Sequence, residues 1–457
     1  MKRRRLLASS GLGLSIGMVG CLADDTVNNP IDDGGAGSPG SGDPEEGGEI
    51  DLPEEPSPVD LDGDGPDAWR QYGYDQRNSK FAAGVTGPGD DAEIDWIALG
   101  DDSLFPPVVD GEVYLAENWT DGGAVSLAGR DGTKRWTNSS LPPSRWQPAL
   151  YDDWMLTITR TENNLVRLHA LEKDDGEISW ETEITASSAS NPPTGPTVTG
   201  DMLFVGSDTG ILALDADTGE RAWNAELGDH VVERDDGSKG LTIWSKPAVT
   251  SERVVTSDTN ARHPSPLKAF GVDRETGETE WTAALELGEH WQLSGHPVVG
   301  ADRVFLVANH SQPVAMGSDS DSNPISRLYA LDEPSGAVLW YWEVEGSTFS
   351  QPAFADGYIF VSDSQGTLRA IDVADRSIAW TYDAPTRWVR SPTITRDFVY
   401  VTHGTELVAV SVEHGALAWS LSVGNRLSSP IVANESVYVV TENSRGRESE
   451  VVAVRES

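Results

Sequence analysis

The 457-residue sequence predicts an all-β fold, an eight-bladed β-propeller of four-stranded antiparallel blades. Three observations carry that prediction. Eight prolines open short apolar runs, at Pro107, Pro148, Pro196, Pro247, Pro297, Pro352, Pro392 and Pro430. Eight tryptophans close the same units, at Trp96, Trp136, Trp180, Trp223, Trp281, Trp340, Trp380 and Trp419. The spacing clusters near forty residues, as from Pro352 to Pro392 and from Trp380 to Trp419, which is the period of one blade.

Within a unit the residues explain the strands they form. The clearest copy starts at Gly195-Pro196, runs through Met202-Leu-Phe-Val-Gly206, and ends Leu214-Asp-Ala-Asp-Thr-Gly219 before Trp223. Proline opens the innermost strand, where a missing N–H donor is tolerated, and the Asp/Gly pairs make the hairpin turns. The tryptophan is a large apolar body suited to the gap between neighbouring blades. The last unit begins at Ser429-Pro430 and ends at Val451-Val-Ala-Val-Arg455, one strand short. Upstream of the first proline the segment Ile94-Asp-Trp96-Ile-Ala-Leu99 has no unit of its own, so it is expected to complete the last blade and close the ring.

Ahead of the repeats, residues 1–21 read as an address label. Arg3-Arg4-Arg5-Leu6-Leu7 resembles a twin-arginine export signal, and Met18-Val-Gly-Cys21 resembles a lipobox, which makes Cys21 the expected lipid-bearing residue. The apolar stretch from Leu6 to Gly20 is too short for a membrane span of roughly 20 residues. Residues 22–66 hold fourteen Asp or Glu and no Lys or Arg, with Gly-rich runs, and read as an extended disordered tether. Within it Asp60-Leu-Asp62-Gly-Asp64-Gly65 matches the first half of a calcium loop, but the twelfth position is Gln71, so the run reads as the acidic end of the tether. Residues 67–457 are then the propeller domain.

A formal charge of −41 disfavours nucleic acid and anionic membrane surfaces as partners and suits a salt-adapted source. Cys21 stands alone, which rules out an intramolecular disulfide and a cysteine metal cluster. Neither a Gly-x-Ser-x-Gly nucleophile motif nor a His-Glu-x-x-His zinc motif is present in residues 67–457.

The repeated Leu-Asp-x-x-Thr-Gly-x-x-x-Trp, together with Trp69-Arg-Gln-Tyr-Gly73 at the start, resembles the PQQ-type propeller repeat family over residues 67–457. The resemblance implies one of two functions. Some members are quinoprotein dehydrogenases that bind PQQ and calcium over the central channel. Others are non-enzymatic lipoproteins similar to BamB, the propeller of an outer-membrane assembly machine. Many of the dehydrogenases carry a pair of adjacent cysteines over the quinone, which this chain lacks. A cell with one membrane would offer no outer-membrane machine to join.

One cluster stands apart from the repeat. Just before the innermost strands lie Arg145, Trp146, Trp244, Lys246, His290, Trp291, Phe349, Arg387, Trp388, Arg390 and Arg426. Residues 67–457 carry 29 basic against 60 acidic side chains, so this group is expected to form a basic, aromatic funnel at the channel mouth for an anionic or planar ligand. Insertions at Asp258 to Pro266 and Asn309 to Ser326 are expected beside it, as a lid, and Asp319-Ser-Asp321 within the second reads as a mobile acidic loop rather than a calcium site. Sequons at Asn118, Asn138, Asn309 and Asn434 are expected to be exposed.

The leading expectation is a non-catalytic, lipid-anchored binding or assembly platform on the outer face of the cytoplasmic membrane, with no cofactor. Its partners would be envelope or surface proteins or a small anionic or planar ligand. The alternative is a PQQ- and calcium-dependent dehydrogenase of alcohols or sugars.

Overall fold

A computed structural model describes residues 68–457 apart from 90, 100–104, 118–121, 145, 162–164, 186–193, 208–209, 228–231, 234–238, 241–244, 259–266, 286, 288–290, 311–323 and 443–448. The signal, Cys21, the tether and the calcium-like run therefore lie outside the described residues. So do Asn118, Asp319 and Asp321, and most of both expected lids.

Eight antiparallel four-stranded blades follow one another along the chain; in the first seven the strands run in sequence order from the axis outward, and in the eighth the outermost strand comes from ahead of blade one. Blade one spans Val108–Asp110 to Lys134–Asn138, and blade seven spans Thr393–Ile394 to Leu417–Ser422. Alternation is clearest on the outermost strands; the middle strands are mostly buried, as the interior of a stacked ring requires. Blade eight closes as the orphan segment predicts. Strand Ala92–Leu99 pairs antiparallel with Ser449–Glu456, placing Trp96 opposite Ala453 and Ile97 opposite Val452. The strand just ahead of blade one is thus hydrogen-bonded to the last described strand, which removes an open sheet edge.

The repeat motif turns out to be a device for joining blades. In Leu-Asp-x-x-Thr-Gly the aspartate accepts from the threonine two ways: Asp215 Oδ1 from Thr218 N at 2.9 Å and Oγ1 at 2.7 Å, and Asp273 Oδ1 likewise at 2.7 and 2.8 Å. The glycine that follows adopts a left-handed φ, +76° at Gly277, and a Cβ there would meet the Trp223 ring at 2.7 Å. The tryptophan of one blade lies on the turn of the next. At five junctions among the described residues its indole N–H then donates to a carbonyl of that turn, among them Trp96 to Gly129 O (3.1 Å), Trp136 to Lys173 O (2.7 Å), Trp223 to Arg274 O (3.1 Å) and Trp281 to Glu333 O (2.9 Å). Blade six departs from the rule: Arg376 occupies the glycine position at φ +67°.

The second insertion is shorter than its sequence limits. Asn309 pairs with Ser326 in the ladder of blade five, so the two strands reach His310 and resume at Ile325. This overturns the expectation that Asn309 is an exposed sequon. It is 7% exposed, its amide donates to Phe349 O at 3.0 Å, and its carbonyl accepts from Phe349 N at 3.1 Å and from Ser326 Oγ at 2.5 Å.

Candidate functional site

The axis of the ring is filled by the chain's own residues 68–88, which visit the blades in order. Ala68–Trp69 pair with Val109 and Asp110 of blade one. Arg70 O accepts from Leu150 N of blade two at 2.7 Å, and the Gln71 side chain both donates to Val198 O and accepts from Val198 N of blade three, at 3.1 Å each. Gln76 O, Arg77 O, Ser79 O and Lys80 O then accept from Val249, Val299, Phe354 and Ile394 of blades four to seven, at 2.7 to 3.0 Å. Pro88 O accepts from Tyr400 Oη and Trp419 Nε1 before the chain enters blade eight. Innermost strands have unpaired axial edges, and this segment satisfies them one at a time.

Polar side chains of the segment meet in the middle. Asn78, fully buried at φ +57°, donates to Lys246 O, Pro247 O and Pro297 O at 3.3, 3.4 and 3.0 Å. Lys246 Nζ donates to Gln71 Oε1 (3.1 Å), Tyr72 O (2.9 Å) and Asn78 Oδ1 (3.3 Å), and burial pushes its amine down to about 7. Lys80, also driven to about 7 by burial, sits over the Tyr72 ring at 5.3 Å. His296 accepts the Lys246 backbone N–H at 2.8 Å, and burial followed by the charges of Lys246 and Lys80 holds its imidazole down near 3. Asp75 accepts from Ser79 N and Oγ and from Arg77 N, while burial raises its carboxyl above the usual range.

Two cavities lie at opposite ends of the innermost strands. The one lined by hairpin turns has about 1400 Å3 and includes Asp110, Asp152, Asp302 and Asp356 in its wall. The other, of about 830 Å3, opens where the funnel was expected and brings together Phe349, Arg387, Trp388, Arg390 and Arg426. The remaining funnel candidates fall elsewhere. Lys246 is 2% exposed in the axial network beneath. Trp146 packs on His296 at 5.9 Å between centroids. Trp291 lies within the core of blades four and five under the Arg327 guanidinium, 4.8 Å away. Arg145, Trp244 and His290 lie outside the described residues.

Trp388 is the most exposed of the large apolar side chains recorded as exposed, at 67%, and its backbone holds φ +68°. A bulky residue in that region is strained by about 1–3 kcal/mol, so the surrounding structure must fix it. It does: Trp388 N and Val389 N donate to Ser364 O and Asp363 O, both at 3.2 Å. Asp363 is itself anchored by Arg369 at 2.6 Å and by the amides of Gln365 and Thr367 at 2.9 and 3.0 Å. Asp363 is the one carboxylate among the described lining residues, against three arginines. Arg387 and Arg426 make no side-chain hydrogen bond or ion pair among the described residues, whereas Arg135, Arg167, Arg253 and Arg327 are paired with glutamates.

Sequence reasoning missed Tyr72, Asn78, Lys80 and Gln351, which sit on or against the axial segment. The opening Trp69-Arg-Gln-Tyr-Gly73 was the available signal, but a motif without periodicity does not say which blades it will touch.

The family described as "Outer membrane protein assembly factor BamB" matches residues 120–326 and 272–456, together most of the ring. The chain belongs to this family. A family relative from Moranella endobia, of the same description, is 26% identical over 269 residues, covering 55% of this chain and 62% of its own. A namesake from Yersinia pestis is covered over 46%, so the chain spans roughly half to three-fifths of these curated relatives. Among solved structures, BamB from Moraxella catarrhalis superposes with a TM-score of 0.55 at 17% identity, over 80% of this chain and 98% of that one. Quinohemoprotein alcohol dehydrogenase from Comamonas testosteroni gives 0.61 at 13% identity, over 85% and 80%. At such identities the structures show the shared propeller fold, and the names fall on both sides of the family's division.

Proposed function

We propose that this chain is a non-catalytic binding platform of the cell envelope, held to the outer face of the membrane through Cys21, and that it takes an anionic partner at the arginine-lined mouth. The observation that carries this reading is electrostatic. In a chain of −41, one cavity wall sets three arginines against a single carboxylate already committed to Arg369. Anionic groups are drawn to such a wall and meet guanidinium forks there.

The dehydrogenase reading draws support from the fold shared with quinohemoprotein alcohol dehydrogenase. The arginines suit the acid groups of PQQ. Calcium suits the wall less well: it takes six to eight oxygen ligands, and Asp363 is not free to supply one.

Equilibrium dialysis of the whole protein against PQQ, with and without calcium, separates the two readings, followed by a dye-reduction assay with ethanol and with glucose. No calcium-dependent binding and no turnover are expected. Saturable calcium-dependent binding coupled to substrate oxidation overturns the platform.

A further inference from the structure

The wall of the 830 Å3 mouth cavity carries more than charge. In that wall Ser391, Thr405 and Ser429 make no side-chain hydrogen bond among the described residues, and they stand on three different segments around the cavity. Each free hydroxyl is both a donor and an acceptor. An acceptor-only anion such as sulfate, or a flat aromatic acid, leaves much of that capacity unused. A ligand with hydroxyls of its own does not.

Trp388 adds a second constraint. Its ring is presented to the cavity at a strained φ by two backbone hydrogen bonds, and Gly366 allows the supporting turn to approach so closely that a Cβ there would lie 2.6 Å from Thr386 O. A fixed, exposed indole offers an apolar face beside polar groups, the surface on which the C–H face of a sugar ring stacks. Arg387 and Arg426, both without protein partners among the described residues, supply forks for a carboxylate. In concentrated salt, charge attraction beyond contact is screened within about 3 Å, so recognition there rests on such direct contacts.

Resting on the platform reading, we infer that the anionic partner is an acidic saccharide, a hexuronate chain whose carboxylate pairs with Arg387 or Arg426, whose ring stacks on Trp388, and whose hydroxyls meet Ser391, Thr405 and Ser429.

Titration calorimetry on the full chain tests this with trigalacturonate as the acidic sugar, maltotriose as the neutral sugar and hexaglutamate as the acid that is no sugar. Trigalacturonate is expected to bind, and the other two are not. Trp388→Ala, and Arg387→Gln with Arg426→Gln, should each weaken binding at least about tenfold, the scale of one lost charge-assisted contact. Trp388→Tyr should retain most of the affinity, and thermal melts unchanged from the parent would show that the variants fold. Hexaglutamate binding as well as trigalacturonate overturns the saccharide and leaves the anionic platform standing. Maltotriose binding equally well overturns the role of the arginines. Binding of neither acid overturns both.

Discussion

Gly277 shows how one missing atom joins two blades. A Cβ there would sit 2.7 Å from the Trp223 ring at a backbone angle that side chains avoid. Gly277→Ala is expected to lower stability by about 1–3 kcal/mol through overpacking, with backbone strain of about 1–2 kcal/mol on top, read in urea denaturation. The converse change belongs to blade six, where Arg376 already bears that strain at φ +67°. Arg376→Gly should raise stability by up to about 1 kcal/mol, and a loss would show that its side chain holds something the turn needs. The buried lysines make a prediction in pH. Lys246 and Lys80 are pushed down to about 7 in the fold, while in the unfolded chain an amine titrates near ~10.4. Between those values the unfolded state binds more protons, so these two groups make stability rise with pH. Melting temperature is expected to climb from pH 7 toward 10, and Lys246→Met should flatten the climb; an unchanged slope would mean that the amine stays charged in the fold.

The element that organises the site is the axial segment, residues 68–88, whose backbone and side chains satisfy the inner edges of successive blades. Asn78 is its pin, since one side-chain amide serves carbonyls of Lys246, Pro247 and Pro297. Asn78→Ala leaves those acceptors buried without that donor and should cost about 1–3 kcal/mol, with hydrogen exchange quickening first at Val249 and Val299 beside it. This element was the least legible part of the sequence. The blades announce themselves because a forty-residue unit repeats its proline, its Asp-x-x-Thr-Gly turn and its tryptophan, and each repetition checks the others. The axial segment occurs once and pairs with residues up to 331 positions away, as Trp419 does with Pro88. The funnel was partly legible for the same reason. Position before an inner strand located Arg387, Trp388 and Arg426 at the mouth, but local position could not tell that Trp291 turns into a blade core or that Lys246 sits below the cavity floor.

At the scale of the whole molecule, closure makes the ring's two ends one structure. The Trp96 ring packs against Gly132 of blade one and donates to Gly129 O, while its strand completes blade eight. Trp96→Ala is expected to cost about 3–5 kcal/mol, and to raise hydrogen exchange in blades eight and one while blade four keeps its protection. Equal loosening in every blade would mean that the seam is no weaker than the other junctions. The path of the chain has a mechanical consequence. Tension applied ahead of Ala68 does not fall first on the closing strand. It reaches the pairing with blade one, then the bonds to blades two through seven in turn, and Ala92–Leu99 only after all of these. The ring is thus strung on its own N-terminal cord, and a pull along that cord is shared among the blades before it can part the seam.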